Sequence, residues 1–139
     1  MTRTPNCYLT ADIVLISGNE VLLVRRKNDP YRGSWCFPGG FIELDEKVED
    51  GALRELMEET GVTGVRVEQF GAYGDPGRDP RGRTVAVVYW ARIMTRPEIK
   101  AGDDAAAAGW FSLSQLPPLA FDHGRIAQDI IRRLRGMPY

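Results

Sequence analysis

The chain has 139 residues, 43% of them hydrophobic and 27% charged, with a formal net charge of −1. That size suits a single globular domain over 1–139 with a core of its own, and near-neutrality argues against a broad nucleic-acid or membrane surface, so an anionic ligand must be handled locally. No apolar run approaches the ~18 residues that cross a bilayer, and "MTRTPNCYLTADIVLIS" reaches polar and acidic residues before any signal-like apolar core, so a cytoplasmic enzyme or binding module is expected.

In chain order, "YLTADIVLIS" and "EVLLVRRK" are β-branched apolar runs parted by Gly18 and Asn19, which predicts a hairpin of strands Tyr8–Ser17 and Glu20–Arg26. "NDPYRGSWCFPGG" is dense in turn formers and leads into the acidic stretch "GFIELDEKVEDGALRELMEETGV" over 40–62. There Asp45 is a good N-cap, Glu46 and Glu49 suit a first helical turn, and Gly61 is a natural stop, so a helix is predicted from about Glu46 to Thr60. "VRVEQFGAY" and "TVAVVYWARI" read as longer strands around an arginine-bearing loop, "GDPGRDPRGR", and "AGWFSL" as a short strand. "FDHGRIAQDIIRRLRG" repeats apolar residues at Ile126, Ile130, Ile131 and Leu134 with a helical period. Strands with two helices define an α/β or α+β protein with a mixed sheet. Cys7 and Cys36 lack paired-ligand spacing and are read as reduced thiols.

The helix in the acidic stretch carries the chemistry. With Glu55 set at 0°, Glu59 falls at about 40° and Glu58 at about −60°, whereas Leu56, Leu53 and Met57 lie toward the other side. Like charges so spaced repel by a few tenths of a kcal/mol per pair in an isolated helix. A hard divalent cation compensates naturally, because Mg²⁺ takes carboxylate oxygens while keeping positions for waters and phosphates. A solvated acidic face is the plainer alternative.

The order of residues narrows the choice. From Gly40 there are five residues, then Glu46, seven more, then "RELMEETGV" from Arg54. This resembles the Nudix box, the loop-helix-loop motif of Nudix hydrolases, with every fixed position present. The resemblance implies an α/β/α sandwich with a mixed sheet between helices. It further implies that Glu55, Glu58 and Glu59 hold Mg²⁺, with Mn²⁺ as a substitute, and that a carbonyl of Gly39 or Gly40 adds a ligand. Arg54 and Glu46 would orient that cluster, and Arg54 stands four residues before Glu58, within reach on a helix surface. The glycines of "FPGG" would let the backbone approach the cation.

Substrate is read from outside the box. "DPGRDPRGRTV", "KAGDDA" and "LAFDHGRI" are similar to the compact ADP-ribose pyrophosphatases of archaea and bacteria, which implies hydrolysis of ADP-ribose to AMP and ribose 5-phosphate and, more weakly, a homodimer. Arginines suit a diphosphate through forked hydrogen bonds; Arg78, Arg81 and Arg83 are candidates, with Arg25 or Arg26 approaching from the second strand. Trp35, Tyr31 and Phe121 are candidates to stack on adenine. For the base that activates water, Asp104 is favoured over Glu55, with Asp103 beside it; His123 at the start of the last helix is read chiefly as capping or packing. Two other activities remain open: hydrolysis of another nucleotide such as an oxidised dNTP, and ADP-ribose sensing without cleavage. Intact box acids and an end at Tyr139, leaving no room for a winged helix, weigh against the sensor.

Overall fold

A computed structural model describes residues 6–102 and 105–137. Its elements are β1 (Tyr8–Ser17), β2 (Glu20–Arg26), β3 (Trp35–Cys36), β4 (Gly39–Phe41), α1 (Val48–Thr60), β5 (Glu68–Tyr73), β6 (Thr84–Ile93), β7 (Ala105–Ser112) and α2 (His123–Arg135). The strands form one mixed sheet with β3-β2-β1-β6-β5 as its main path, β4 pairing with β1 and β7 with β2. β1 and β6 run parallel over ten residue pairs, from Tyr8↔Thr84 to Ser17↔Ile93.

Alternation along the central strands divides the core between two layers, as the two-residue period of a strand requires. Ala11, Ile13 and Leu15 of β1 face α1 through Ala52 and Leu56. Val14 and Ile16 face α2 through Ile126, Ala127 and Ile130. Ile126 and Ile130 are fully buried, each contributing about 1.5–3 kcal/mol by leaving water. The predicted sandwich is therefore present, with β1, β2 and β6 at the predicted boundaries.

Other expectations need correction. α1 begins at Val48, with Lys47 at the N-cap position and no side-chain cap, so Asp45 does not cap it and Glu46 lies ahead of it. Glu46 instead closes a turn, its Oε1 accepting a hydrogen bond from the Glu43 N–H at 2.8 Å. The acidic flank is not uniformly solvated either: Glu59 is buried and Met57 exposed. Ala52, Leu56 and Glu59 follow the i, i+4, i+7 spacing of one helix face, so Glu59 ends the stripe that rests on the sheet. β5 starts at Glu68 rather than Val65, β7 extends back to Ala105, and the turn-rich segment contributes two short strands.

β1 and β2 pair only beside their turn, at Ile16↔Val21 and Ser17↔Glu20. Farther on they part: β1 takes β4 at Thr10↔Phe41, Ala11↔Gly40 and Asp12↔Gly39, while β2 takes β3 and β7. The fork leaves an opening beside the end of α1.

Gly102 closes that helix end. Its N–H donates to the Glu59 carbonyl at 2.9 Å, as the Lys100 N–H does to that of Thr60. A β-carbon there would lie 1.7 Å from the Glu58 carbonyl oxygen. Gly102→Ala should push the loop off the helix and destabilise the protein by about 1–3 kcal/mol; urea unfolding checks this, and a midpoint equal to wild type would refute it.

Candidate active site

The fork opens into a cleft of about 400 Å³ lined by Asp12 of β1, Arg25 and Arg26 of β2, Gly39 to Phe41, Arg54, Glu55 and Glu59 of α1, and Arg78, Asp79, Arg81, Phe121 and His123. Segments distant in sequence thus meet around one space.

Arg54 is the hub of the acidic wall. Its Nε donates to Glu46 Oε2 at 3.0 Å and its Nη2 to Glu46 Oε1 at 2.8 Å, a bidentate fork. Nη1 reaches Glu55 Oε1 at 2.9 Å and Glu58 Oε2 at 3.1 Å, and Nη2 also reaches the Phe41 carbonyl at 3.2 Å. The hydrogen bonds from Arg54 and the Glu43 backbone pull the Glu46 carboxyl down to about 2. One guanidinium thereby ties the loop, the β4 backbone and two acids of the helix together.

Glu59 points the other way. Its Oε1 accepts from the Gly39 N–H at 3.0 Å, and burial pushes its carboxyl up to about 9 despite that bond, with the neighbouring Glu55 adding to the rise. Burial also raises Glu55, against the opposing pull of Arg54. The backbone passes close by: a β-carbon on Gly40 would lie 2.7 Å from the Glu55 carboxyl carbon, and one on Gly39 2.1 Å from Asp12 Oδ1. Only glycines leave room for both acids.

Among the described residues, no three acidic, histidine or cysteine side chains stand together as a ready-made metal site, because Arg54 engages Glu55 and Glu58 while Glu59 is tied to Gly39. The donor chemistry nevertheless fits a hard divalent cation. Burial holds a proton on Glu59 near neutrality and raises Glu55 as well, and a cation supplies the same neutralisation to oxygen ligands.

The arginines separate into roles. Arg78 is buried; its Nη2 and Nε reach Asp122 Oδ1 and Oδ2 at 2.7 and 3.0 Å, and its Nη1 reaches Thr84 Oγ1 at 3.1 Å. It fastens the start of α2 to β6 and forms cleft floor. Arg81 is half-exposed, paired with Asp79, and lies over the rings of Phe41 at 4.8 Å and Phe121 at 5.5 Å. Arg25 lines the cleft while its Nε donates to the Gly33 carbonyl at 3.1 Å. Arg83 is exposed and is not among the cleft-lining residues. Asp103 and Asp104 lie outside the described residues.

Of the aromatic candidates, Phe121 lines the cleft with its backbone in the left-handed region, φ 52°, a conformation that costs a non-glycine residue about 1–3 kcal/mol. Tyr31 packs against its ring at 4.8 Å. Trp35 packs against Phe111 and Leu119's neighbourhood in the α2-side core and does not line the cleft.

His123 packs as read, but with a defined partner: its Nδ1 accepts the Phe37 N–H at 3.1 Å. The neutral ring must then carry its proton on Nε2, which stands 3.7 Å from Asp12 Oδ2. α2 thereby fixes the entry to the glycine turn. Sequence reasoning passed over Asp12, Phe41 and Asp79; for Asp12 the signal was a lone carboxylate inside an otherwise apolar strand.

In this sandwich a glycine turn and an acid-bearing helix meet as a loop-helix-loop unit on one side of the cleft. The chain belongs to the NUDIX domain family, whose pattern matches residues 8–134. It is 41% identical over 128 residues to the ADP-ribose pyrophosphatase of Methanocaldococcus jannaschii, covering 92% of this chain and 75% of that protein. It is 33% identical over 140 residues to the ADPR responsive transcriptional repressor NtrR of Acinetobacter baylyi, covering 95% of this chain and 56% of the repressor. Among solved structures, the NUDIX domain of Shewanella oneidensis NrtR complexed with ADP ribose superposes with a TM-score of 0.87 at 35% identity, covering 94% of this chain and 90% of that one.

The buried histidine yields a pH prediction. Burial lowers His123 from 6.5 to about 4, so below pH 6.5 the unfolded chain takes up a proton that the folded ring refuses. This stabilising contribution is present above 6.5 and is lost as pH falls toward 4, by up to about 1.4 kcal/mol per pH unit. Asp12, raised by burial from 3.8 to about 7, acts in the opposite sense over much of that range, so the difference between wild type and His123→Gln isolates the histidine. Unfolding free energies at pH 7.5 and 5 should show the wild-type advantage shrinking at the lower pH; an advantage constant with pH would refute the assignment.

Proposed function

We propose that the protein is a Mg²⁺-dependent hydrolase that cleaves ADP-ribose to AMP and ribose 5-phosphate, with Mn²⁺ able to replace Mg²⁺. The observation that carries the reading is the meeting of an intact set of box acids and an arginine-lined cleft in a chain so similar to an ADP-ribose pyrophosphatase and to an ADP-ribose-bound domain.

Glu55, Glu58, Glu59 and the Gly40 carbonyl would hold the divalent cations, which neutralise the diphosphate and lower the pKa of water when bound. The chain's own residues do the positioning. Arg54 restrains Glu55 and Glu58 through Nη1 and is itself held by both oxygens of Glu46. The Gly39 N–H holds Glu59, and His123 holds the turn that carries Gly39. Arg25 and Arg81, which line the cleft, would meet the diphosphate or terminal ribose, with Arg78 fixing the floor. Asp104 is proposed as the base that accepts the proton of the attacking water, with Glu55 as its alternative.

The whole chain is proposed to act as a single domain in the cytoplasm, as a homodimer. Among the described residues no helix is long and apolar enough to cross a membrane. The similarity to a transcriptional repressor favours a second reading, ADP-ribose sensing without turnover.

Incubating the purified protein with Mg²⁺ and ADP-ribose, ADP-sugars, dinucleoside polyphosphates or dNTPs, with product identification, separates the readings. AMP and ribose 5-phosphate are expected; binding of ADP-ribose without products would replace hydrolysis by sensing. Glu58→Gln and Glu59→Gln should each lower turnover by orders of magnitude in a folded protein, and near-wild-type turnover in both, or activity in excess chelator, would overturn the metal assignment. Asp104→Asn should depress kcat more than apparent Mg²⁺ affinity, since the amide keeps the shape but accepts no proton; wild-type kcat would exclude Asp104 as an essential base.

A further inference from the structure

Part of the cleft lining is built from neighbouring cations and rings. Arg26 lies 5.0 Å from the centre of the Phe121 ring; the same ring lies 5.5 Å from the Arg81 guanidinium, which lies 4.8 Å from Phe41. Each of the two rings has a further aromatic neighbour. Tyr8 meets Phe41 edge-on at 5.7 Å, and Tyr31 meets Phe121 at 4.8 Å. The left-handed backbone at Phe121 spends conformational strain on the aim of that ring.

Arg81 is the movable member of this series. A guanidinium is a flat π-system, and its distances to both rings fall in the ~4.5–7 Å range adopted by a stacked aromatic ring. It therefore stands where a planar heterocycle would fit between two benzene rings. Its other tether is Asp79, which is buried and accepts from Arg81 Nε at 3.1 Å and Nη2 at 2.9 Å. Asp79 also accepts from the Arg81 backbone N–H at 2.9 Å, a bond that stays in place when the side chain swings away, and Arg78 lies close enough to favour its charge. Arg81 is half-exposed, so its guanidinium has solvent to enter.

We infer that the gap between Phe41 and Phe121 is the seat of the substrate's nucleobase, and that Arg81 fills it in the free protein and leaves when the base enters. This rests on the proposed nucleotide substrate and adds how the nucleoside end is recognised. Entry of the base frees a guanidinium beside the bound diphosphate, so recognition of one end of the substrate places a cation near the other. A sugar diphosphate with no base leaves Arg81 stacked and foregoes that contact.

Adenosine is the probe, because it carries the base without phosphate. In the unaltered protein, NMR should show nuclear Overhauser contacts from adenine H2 or H8 to ring protons of both Phe41 and Phe121, and ribose 5-phosphate should show none. Phe41→Leu should weaken adenosine binding roughly two- to tenfold, the size of one aromatic contact. Arg81→Ala should bind adenosine at least as tightly as wild type while raising KM for ADP-ribose. Absence of contacts to the two rings, or weaker adenosine binding by Arg81→Ala, overturns the inference whether or not Phe41→Leu folds. Hydrolysis measured on the same preparation separates the two conclusions. Cleavage of ADP-ribose without ring contacts sinks this inference alone, whereas ring contacts without cleavage sink the proposed activity and support the base site.

Discussion

Carboxylates crowded at one end of a helix repel one another, and the guanidinium of Arg54 makes that crowding tolerable. It faces Glu46 with two donors and Glu55 and Glu58 with a third, while also touching the β4 backbone at Phe41. Lysine would provide one point charge in place of a planar fork and could not serve the loop, the strand and the helix at once. The position of the glycine turn over α1 follows from this contact and from the Gly39–Glu59 hydrogen bond. Two helix acids are governed by Arg54, and a third by backbone and burial. That division sets their environments apart: Glu58 is half-exposed, and Glu59 is buried with a raised pKa.

The second constraint is topological. A hairpin that stayed paired along its length would leave no opening between its strands. Here β1 and β2 separate after two residue pairs, and each takes another partner beyond the fork: β1 pairs with β4 and β2 with β3, while β7 runs along the whole of β2. The opening is thereby floored by strand residues and walled by loops, and its polar groups are presented by rigid elements. Asp12 of β1 and Arg25 of β2 come to face one space although both belong to sequence runs that look like core.

What could be read from the residue order was whatever local periodicity controls. β1, β2 and β6 are continuous apolar, β-branched runs, and their ends fall at the residues expected. The acid helix and its Arg54–Glu58 pair were legible for the same reason, since helical spacing puts them together without help from the rest of the chain. Glu46 was misplaced because acids favour first turns in general, whereas here its bonds to Arg54 and to the Glu43 N–H win. The burial of Glu59 was hidden because a carboxylate at the end of an apolar stripe looks like its polar boundary until the sheet and Gly39 cover it. Phe41, Arg81 and Phe121 become neighbours only through tertiary structure, so no spacing rule could join Phe41 to Phe121. His123 read as packing, and packing it does, but its Phe37 partner lies 86 residues away.

The parallel pairing of β1 with β6 also sets an order of assembly. β1 is the most apolar run of the chain, yet its ten-residue partner is β6, which ends at Ile93, and β2's main partner ends at Ser112. A nascent chain emerging from the ribosome therefore carries Ile13 to Ile16 exposed until about two thirds of the protein has been made. Pairings so distant in sequence are slow to form, and an apolar strand waiting for its neighbour is prone to associate with other chains. Asp12 in the midst of that strand is a charge that opposes such association before it becomes part of the cleft. The centre of the sheet closes late, and the acid helix, though local in sequence, acquires its floor only then.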